Sequence, residues 1–292
     1  MKEYLDCLRY IMDNGVDTDD RTGVGTRSVF GYQMRFDLSN GFPAVTTKKL
    51  AWKPLVSELL WFLEGSTDER RLAEIQYGKP INKLIDKTTI WTANANAQGK
   101  SLGYYNDEYV KELGPVYGTQ WRNFGSSYAT FENNRGVDQI SWVINEIKTN
   151  PDSRRLVVSA WSANQIHEMA LMPCHYSFQF NVINNKLNCI FNMRSTDSFL
   201  GLPFNLASYS LLTHMIAQVC DLEVGDLVYS GANVHIYKNH FDAVNEQLSR
   251  EPLPLPTLWL NPEIKNIDDF TMDDIKLVGY ESHPAIKAPM AV

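Results

Sequence analysis

The sequence lacks any hydrophobic run long enough to cross a membrane. Its 292 residues are 44% apolar, but no stretch approaches the roughly 20 consecutive apolar residues that a membrane-spanning helix needs. Residues 1–15 are amphipathic and carry charges of both signs, unlike the basic and then hydrophobic order of a secretory signal peptide. We therefore expect a cytoplasmic protein without a membrane partner.

The sequence also lacks an excess of positive charge and closely spaced cysteines. Its formal net charge is -7, whereas a nonspecific nucleic-acid-binding face requires a surplus of Lys and Arg. These features predict neither an obligatory nucleic-acid partner, nor a metal site, nor a disulfide framework. The cysteines, none in CxxC or CxxH spacing, are Cys7, Cys174, Cys189 and Cys220.

No repeat, low-complexity tract or composition break divides the chain, so we predict a single catalytic domain over residues 1–292. Helical and strand-like periodicities both occur, which predicts an α/β (α+β) fold: a mixed, twisted β-sheet flanked by helices. A polar segment, 94–112, is predicted as a surface excursion. Helices are predicted over 2–14, 55–63, 137–147 and 207–219, and strands over 28–36, 155–161, 176–183 and 187–193.

Cys174 lies where a loop is predicted to enter a strand, within PCHYSFQF at residues 173–180. A buried structural thiol would fit this pattern. A nucleophile needs positive charge nearby to stabilise its thiolate, and we expect Arg154, Arg155 and Arg194 in neighbouring parts of the sheet. Guanidiniums would also bind a phosphate through bidentate hydrogen bonds, although residues 154 and 155 taken alone fit a solvated arginine pair at the start of a strand better.

A second polar motif, MRSTDSFLGLPFN at residues 193–205, surrounds a predicted Gly-Leu-Pro turn at 201–203. Its charged and hydroxyl groups suit a phosphate. The amide of Asn205 suits the edge of uracil because it can donate to O4 and accept from N3–H, whereas Asp would suit the amino group of cytosine. A polar turn with capping residues is the structural alternative.

The Gly-rich motif RTGVGT at residues 21–26 is a weak signal alone. It lacks a preceding predicted strand and a complete GxGxxG, so we reject a dinucleotide-binding fold. Arg21 beside this loop remains a candidate phosphate ligand.

The order and spacing of the motifs resemble the folate-dependent thymidylate synthase family over nearly the whole chain. Each motif is modest by itself, and their combination is specific. Besides the cysteine and arginine segments, the resemblance rests on 19–26, 42–53, 58–67, 90–91, 113–125, 137–140, 150–155, 159–161, 234–240 and 286–292.

The resemblance implies that Cys174 adds to C6 of dUMP, so that C5 can attack the methylene group of 5,10-methylenetetrahydrofolate. It implies that Glu58 assists proton transfers through ordered water and that Tyr117 assists removal of the C5 proton. His175 and Asn205 resemble residues around the base, and Asn205 would select uracil.

The resemblance also assigns binding residues. It implies a homodimer in which Arg154 and Arg155 reach the phosphate across the interface, while Asp197 is assigned to both the nucleotide and the pterin ring. Implied phosphate ligands of the same subunit are Arg21, Arg194 and Ser195; the deoxyribose pair is His235 and Tyr237; the folate residues are Lys48 near the glutamate tail, Trp91, Asn94, Leu200, Gly201 and the carboxylate of Val292.

Two positions depart from the family pattern. Met193 stands where Gln is most frequent, and Thr92 stands where an acidic residue is usual. Residues 192–195 also resemble the phage nucleotide hydroxymethylases, a sister branch in which water instead of hydride adds to the exocyclic methylene intermediate and tetrahydrofolate is released. A dUMP 5-hydroxymethylase is therefore the alternative. Trp91, His175, Asn205 and the C-terminal segment resemble the synthases, which favours methylation.

A catalytically inactive paralogue or an RNA-binding regulator would represent another class of protein. Such a chain is expected to have lost the nucleophile or a phosphate-binding arginine. Cys174 and the arginines are all present, so the sequence favours an enzyme.

Overall fold

The computed structural model describes residues 1–126 and 136–290, and within them a six-stranded mixed β-sheet forms the centre of the fold. The strand order is β1-β2-β6-β5-β4-β3, with β5 and β6 parallel and the other neighbours antiparallel. The predicted mixed sheet is confirmed. The strands are β1 Val16–Thr18, β2 Thr26–Asp37, β3 Val157–Ser159, β4 His175–Ile183, β5 Lys186–Asp197 and β6 Glu223–Tyr237, and a separate antiparallel pair consists of β7 Thr257–Leu260 and β8 Ile275–Val278.

Eight α-helices are found in the described part of the chain, and none is long and apolar enough to cross a membrane. All four predicted helices are found, the first with the predicted bounds, two with slightly shifted ends and the fourth with a much earlier start. The segment predicted as a polar excursion begins with a π-helix, Ala95–Gly99. The helices are α1 Lys2–Asn14, α2 Trp52–Glu64, α3 Glu69–Tyr77, α4 Thr92–Asn94, α5 Tyr117–Asn123, α6 Gln139–Thr149, α7 Leu202–Val219 and α8 Phe241–Leu248.

The hairpin between β4 and β5 brings the two principal sequence motifs together. Its turn residues, Asn184 and Asn185, both have positive φ angles, 51° and 61°, as a two-residue type I′ turn requires. The chain therefore reverses tightly, and the backbone N–H of Arg194 donates to the carbonyl of Cys174 over 2.9 Å. Residues twenty apart in sequence become neighbours at one end of the sheet.

Helix α7 connects the parallel strands β5 and β6 and packs on the sheet. Tyr209 stacks on Phe191 with ring centroids 4.3 Å apart. The prediction of a turn at 201–203 followed by a helix from 207 is wrong, because the helix already begins at Leu202. Pro203 fits there since backbone N–H groups of the first turn need no helical acceptor. Asn205 thus lies in the first turn, at the end of β5.

The Gly-rich loop does follow a strand, contrary to the sequence prediction, because β1 ends at Thr18. The loop then enters the antiparallel strand β2 instead of a helix, and β1 pairs with β2 from Val16↔Ser28 to Thr18↔Thr26. A dinucleotide site needs a helix N-terminus after the glycines, so the rejection of that fold is confirmed.

Candidate active site

Cys174 is the residue directly before β4, as predicted. It is partly buried, and its backbone N–H donates to the hydroxyl of Tyr117 over 2.6 Å. Its Sγ lies 3.9 Å from Nη2 of Arg194. Burial raises the pKa of the Cys174 thiol, and the positive charge of Arg194 only partly opposes this effect. In the isolated chain the charge of Arg194 does not outweigh burial, and a thiolate held anionic by several guanidiniums stays a prediction.

Arg194 holds the loop that leads into Cys174. Its Nε donates to the carbonyl of Pro173 and its Nη2 to the carbonyl of Met172, both over 2.8 Å. No partner is found for Nη1 among residues 1–126 and 136–290. That nitrogen is therefore available to an anion beside the cysteine.

Arg154 and Arg155 do not lie beside Cys174 in the same chain. Both are exposed, and the carbonyl of the next residue, Leu156, accepts from the N–H of Phe180 over 2.9 Å. Phe180 is six residues along the strand from Cys174, which corresponds to about 20 Å. The expected proximity within one chain is wrong, and the assignment of this pair to a partner's site stays a prediction.

His175 is fixed between two tyrosines. Its ring stacks on Tyr117 with centroids 4.0 Å apart, and its Nδ1 lies 2.8 Å from the hydroxyl of Tyr209. Burial lowers the pKa of His175 to about 3, so the imidazole is neutral at physiological pH. Tyr209 was not predicted for the site. A tyrosine within a buried apolar helix was the available signal, because buried tyrosine hydroxyls usually have a hydrogen-bond partner.

Glu58 projects from α2 and accepts a hydrogen bond from Nε1 of Trp91 over 2.6 Å. Burial raises the pKa of Glu58 to about 7, and the hydrogen bond from Trp91 opposes the increase. Both protonation states are therefore populated near neutral pH, as a proton-transfer residue requires. Trp91, which the resemblance assigned to folate, also contacts the carboxylate.

Asp197 ends β5 and pairs in register with His235 on β6. Its Oδ1 accepts from the backbone N–H groups of Phe199 and Leu200, both over 3.0 Å. In the described part of the chain Oδ2 has no partner, so it can accept from a ligand. A Cβ on Gly201 would lie 3.2 Å from the carbonyl oxygen of Asp197, and the absence of a side chain there keeps this corner open.

Lys48 points into this corner instead of into solvent. Its ammonium donates to the carbonyl of Phe199 and lies 3.5 Å from the centroid of the Phe199 ring. Burial lowers the pKa of Lys48 to about 7, and the charge of Asp197 opposes the decrease. Asn205 is nearby, with its N–H donating to the carbonyl of Gly201 over 3.2 Å.

Tyr237 connects the Gly-rich loop to the cysteine. Its ring meets that of His235 edge to face with centroids 5.1 Å apart. Burial raises the pKa of Tyr237, and Asp197, Asp20, Arg21 and Cys174 act on it electrostatically. These groups therefore lie within electrostatic range of Tyr237. Ser195 lies opposite Asn233 in the sheet, and Nδ1 of His235 lies 2.8 Å from the side chain of Asn233.

Asp20 shapes the Gly-rich loop and was missed by the sequence analysis. Its Oδ1 accepts from the N–H of Gly25 over 2.8 Å, and its Oδ2 accepts from the N–H and hydroxyl of Thr22. An aspartate directly before a glycine-containing turn was the available signal.

Besides the arginine pair, Asn94 is a candidate residue that the structure does not bring to the others. The side-chain amide of Asn94 donates to Gln98 over 3.4 Å, which places it toward the π-helix. Val292 lies outside the described residues. The departures from the family pattern have structural explanations: Met193 is buried beside His175, and the hydroxyl of Thr92 donates to Glu69 over 2.6 Å.

A surface groove of about 1090 Å³ lies elsewhere, lined by parts of α2, α3 and residues 267–275. No candidate residue lines it, so its size does not identify the functional site. Within residues 1–126 and 136–290, no group of three or more His, Cys, Asp or Glu side chains is arranged to hold a metal ion.

A cysteine beside an arginine, a carboxylate with a near-neutral pKa and a neutral buried histidine define a candidate enzyme of the covalent and acid–base class. A family model described as "Thymidylate synthase" matches residues 2–292, so the chain belongs to the thymidylate synthase family. Family membership supports a one-carbon transferase that acts on C5 of dUMP with methylenetetrahydrofolate as co-substrate. It does not separate methylation from hydroxymethylation.

Proposed function

We propose that this protein is a thymidylate synthase that converts dUMP and 5,10-methylenetetrahydrofolate into dTMP and dihydrofolate. The observation that carries the proposal is the arrangement around Cys174: Arg194 lies beside the sulfur, and Tyr117 binds the backbone N–H. The Glu58–Trp91 pair lies on the same side, since Trp91 packs against Tyr117 with ring centroids 6.0 Å apart.

Cys174 acts as the nucleophile on C6 of the uracil ring. The S–C6 bond forms as the C5–C6 double bond opens, and C5 becomes an enolate-like carbon that attacks the one-carbon unit. Because burial raises the pKa of the thiol, its proton must leave as the S–C6 bond forms, and it passes through ordered water to the carboxylate of Glu58. Arg194 stabilises the anionic sulfur during this step.

Glu58 and Tyr117 serve the proton transfers. Glu58 exchanges protons near neutral pH because its pKa is about 7. Tyr117 assists removal of the C5 proton, and its contact with the N–H of Cys174 keeps its hydroxyl next to the nucleophile. His175 acts as a neutral hydrogen-bonding group beside the base, and Asn205 selects uracil.

The nucleotide's phosphate binds Arg21, Arg194 and Ser195. Arg154 and Arg155 contribute from the partner in a homodimer, which explains why both are exposed and far from Cys174 in their own chain. Dimerisation occurs through the sheet face that bears Phe30, whose side chain is 89% exposed in the single chain. The deoxyribose hydroxyl binds His235 and Tyr237.

The folate site is formed around Asp197, whose free Oδ2 suits the N–H groups of a pterin ring. When bound, the folate supplies the one-carbon unit and, for a methylated product, the hydride. Asp197 orients the ring, and Lys48, at the glutamate tail, must leave its contact with Phe199 to meet a carboxylate there. The remaining folate-contacting residues are Trp91, Asn94, Leu200, Gly201 and Val292, the last closing over the site to exclude water.

The product distinguishes the proposal from its alternative. Purified protein is mixed with dUMP and methylenetetrahydrofolate, the absorbance rise of dihydrofolate is followed, and the nucleotide is weighed by mass spectrometry. Methylated nucleotide with an absorbance rise is expected. Hydroxymethylated nucleotide without that rise would establish the dUMP 5-hydroxymethylase instead, and unchanged dUMP under all conditions would contradict both.

A matched substrate control tests the assignment of Asn205. The wild type is expected to discriminate strongly against dCMP. Asn205→Asp should lose activity on dUMP and gain activity on dCMP, because a carboxylate accepts from the cytosine amino group. Equal discrimination against dCMP by the wild type and by Asn205→Asp would contradict the role of Asn205 in selecting uracil.

A further inference from the structure

Glu69 and Arg70 form an ion pair that is shielded from water. Their side chains are 0% and 1% exposed. Nε and Nη2 of Arg70 donate to the two carboxylate oxygens of Glu69 over 2.6 and 2.7 Å. Burial alone would raise the pKa of Glu69, but hydrogen bonds from Arg70, Thr89 and Thr92 outweigh it and lower the pKa. The pair is therefore ionised and fully engaged.

The pair anchors the segment 84–92 at four points. The hydroxyls of Thr89 and Thr92 both donate to Oε1 of Glu69 over 2.6 Å. Arg70 donates to the carbonyls of Leu84 and Lys87 over 3.2 and 3.1 Å. A segment without a strand or long helix is thus fixed by side-chain contacts at both ends.

The two threonines connect the ion pair to the backbone at Trp91. The hydroxyl of Thr89 accepts from the N–H of Trp91 over 3.2 Å, and the hydroxyl of Thr92 accepts from the N–H of Thr89 over 2.8 Å. Each hydroxyl therefore donates to Glu69 and accepts from a backbone N–H within residues 89–91. Trp91 in turn donates to Glu58.

We propose that the buried Glu69–Arg70 ion pair is a positioning element that holds the indole nitrogen of Trp91 against the carboxylate of Glu58. The kinetic part of this inference depends on the proposed function, and the structural part does not. Thr92 replaces the acidic residue usual after this tryptophan, and the carboxylate that meets its hydroxyl comes from α3.

A purely stabilising role explains these contacts less well. Replacing a buried ion pair with apolar residues is often neutral or stabilising, so stability alone gives no reason for this chemistry. The observed bonds instead fix the backbone on both sides of one side chain. That side chain ends 2.6 Å from a proton-transfer carboxylate, where small displacements change both geometry and ionisation.

The other groups that face Glu58 are not altered by a substitution at Thr92. Tyr117 on α5 interacts with it electrostatically, and Cys174, His175 and Arg194 surround Tyr117. None of them contacts Glu69, Arg70, Thr89 or Thr92 through a hydrogen bond in the described part of the chain. A change confined to Thr92 therefore reaches Glu58 through Trp91.

Thr92→Val and Thr92→Ser form the matched test. Val keeps the shape and removes the hydroxyl, whereas Ser keeps the hydroxyl. Protein labelled with carboxyl-¹³C glutamate is titrated by NMR without substrates, and Glu58→Gln identifies the signal. We expect the pKa of Glu58, about 7 in the wild type, to rise by up to about one unit in Thr92→Val, because a hydrogen bond to the carboxylate weakens. Thr92→Ser should match the wild type.

The kinetic readout is a lower kcat with an unchanged KM for dUMP. We expect a decrease of about ten-fold in Thr92→Val near pH 7, little change in Thr92→Ser, and none in Glu64→Gln, which removes an exposed ion pair with Arg71. An identical Glu58 titration in Thr92→Val and wild type would overturn the inference. If the wild type does not convert dUMP, the proposed function fails, and the titration still decides this point.

Discussion

Two glutamates on consecutive helices show how one chain keeps some charges fixed and makes others reactive. Burial acts to raise the pKa of both carboxyls, but the pKa of Glu69 on α3 is lowered, whereas that of Glu58 on α2 is raised to about 7. Glu69 has Arg70 and two threonine hydroxyls, and Glu58 has the indole N–H of Trp91. Because burial raises the pKa of both carboxyls, the difference between them comes from their hydrogen-bonding and charged partners.

The surroundings of Glu69 and the surroundings of Cys174 differ in the same way. Glu69 and Arg70 are ionised and paired with each other, so the pKa of Glu69 lies below its usual range. Around Cys174 the pKa values of three groups are moved by burial: Glu58 to about 7, Lys48 to about 7 and His175 to about 3. Groups of this kind concentrate at functional sites.

Replacing the nucleophile Cys174 should have the largest effect of these substitutions, and the effect should be on turnover. We expect Cys174→Ser to lower kcat by about 10⁴-fold or more, because a serine hydroxyl without an adjacent base is a far weaker nucleophile. Binding of dUMP, measured by calorimetry, should persist. Cys220→Ser is the control, since Cys220 is a partly buried thiol whose Sγ contacts Ile144. Turnover by Cys174→Ser close to that of the control would contradict the role.

Substitution in the Glu69–Arg70 ion pair should lower the free energy of unfolding. Glu69→Gln leaves Arg70 buried with a lost counter-charge, which costs about 3–5 kcal/mol of unfolding free energy. Glu64→Gln breaks an exposed pair with Arg71 and should cost less than about 1 kcal/mol. Urea unfolding measures both, and similar costs would remove the distinction between the pairs.

Glu58→Gln should change the pH dependence of stability. The folded-state pKa of Glu58 is raised from 4.5 to about 7, so the folded protein holds the proton longer than the unfolded chain. The stability that this proton contributes is present below pH 4.5 and is lost as pH rises through about 7. As the pH rises from 5 to 8, we expect the unfolding free energy of Glu58→Gln to fall by about 2 kcal/mol less than that of the wild type, allowing for partial solvent exposure. Parallel urea-unfolding profiles would contradict the raised pKa.

Local patterns in the sequence predicted much of the fold. Helix α1 follows from apolar residues at helical spacing, five of which are buried, and it ends at Gly15 as expected. The position of Cys174 at a loop–strand junction was also predictable, because the alternation of apolar and polar residues after it is typical of a strand.

What depends on pairing between distant segments was not predictable. The neighbours of Arg154 are set by the register of β3 on β4, and a strand pattern does not reveal its partner or register. The Glu69–Thr92 contact is equally hidden, since it joins polar residues from a helix and a loop without periodicity. The pKa of Cys174 is hidden for the same reason: the sequence shows arginines, but burial and distance decide their effect.

Hydrogen exchange at C5 of dUMP tests most directly whether Cys174 bonds to the pyrimidine. The protein is incubated in D₂O with dUMP and tetrahydrofolate, which fills the folate site without a one-carbon unit, and the C5 proton is followed by NMR. Addition of sulfur to C6 lets C5 take a deuteron and release its proton when the S–C6 bond breaks. We predict loss of the C5 signal with wild type and its persistence with Cys174→Ser. Equal exchange with both proteins, or none with wild type, would contradict the account.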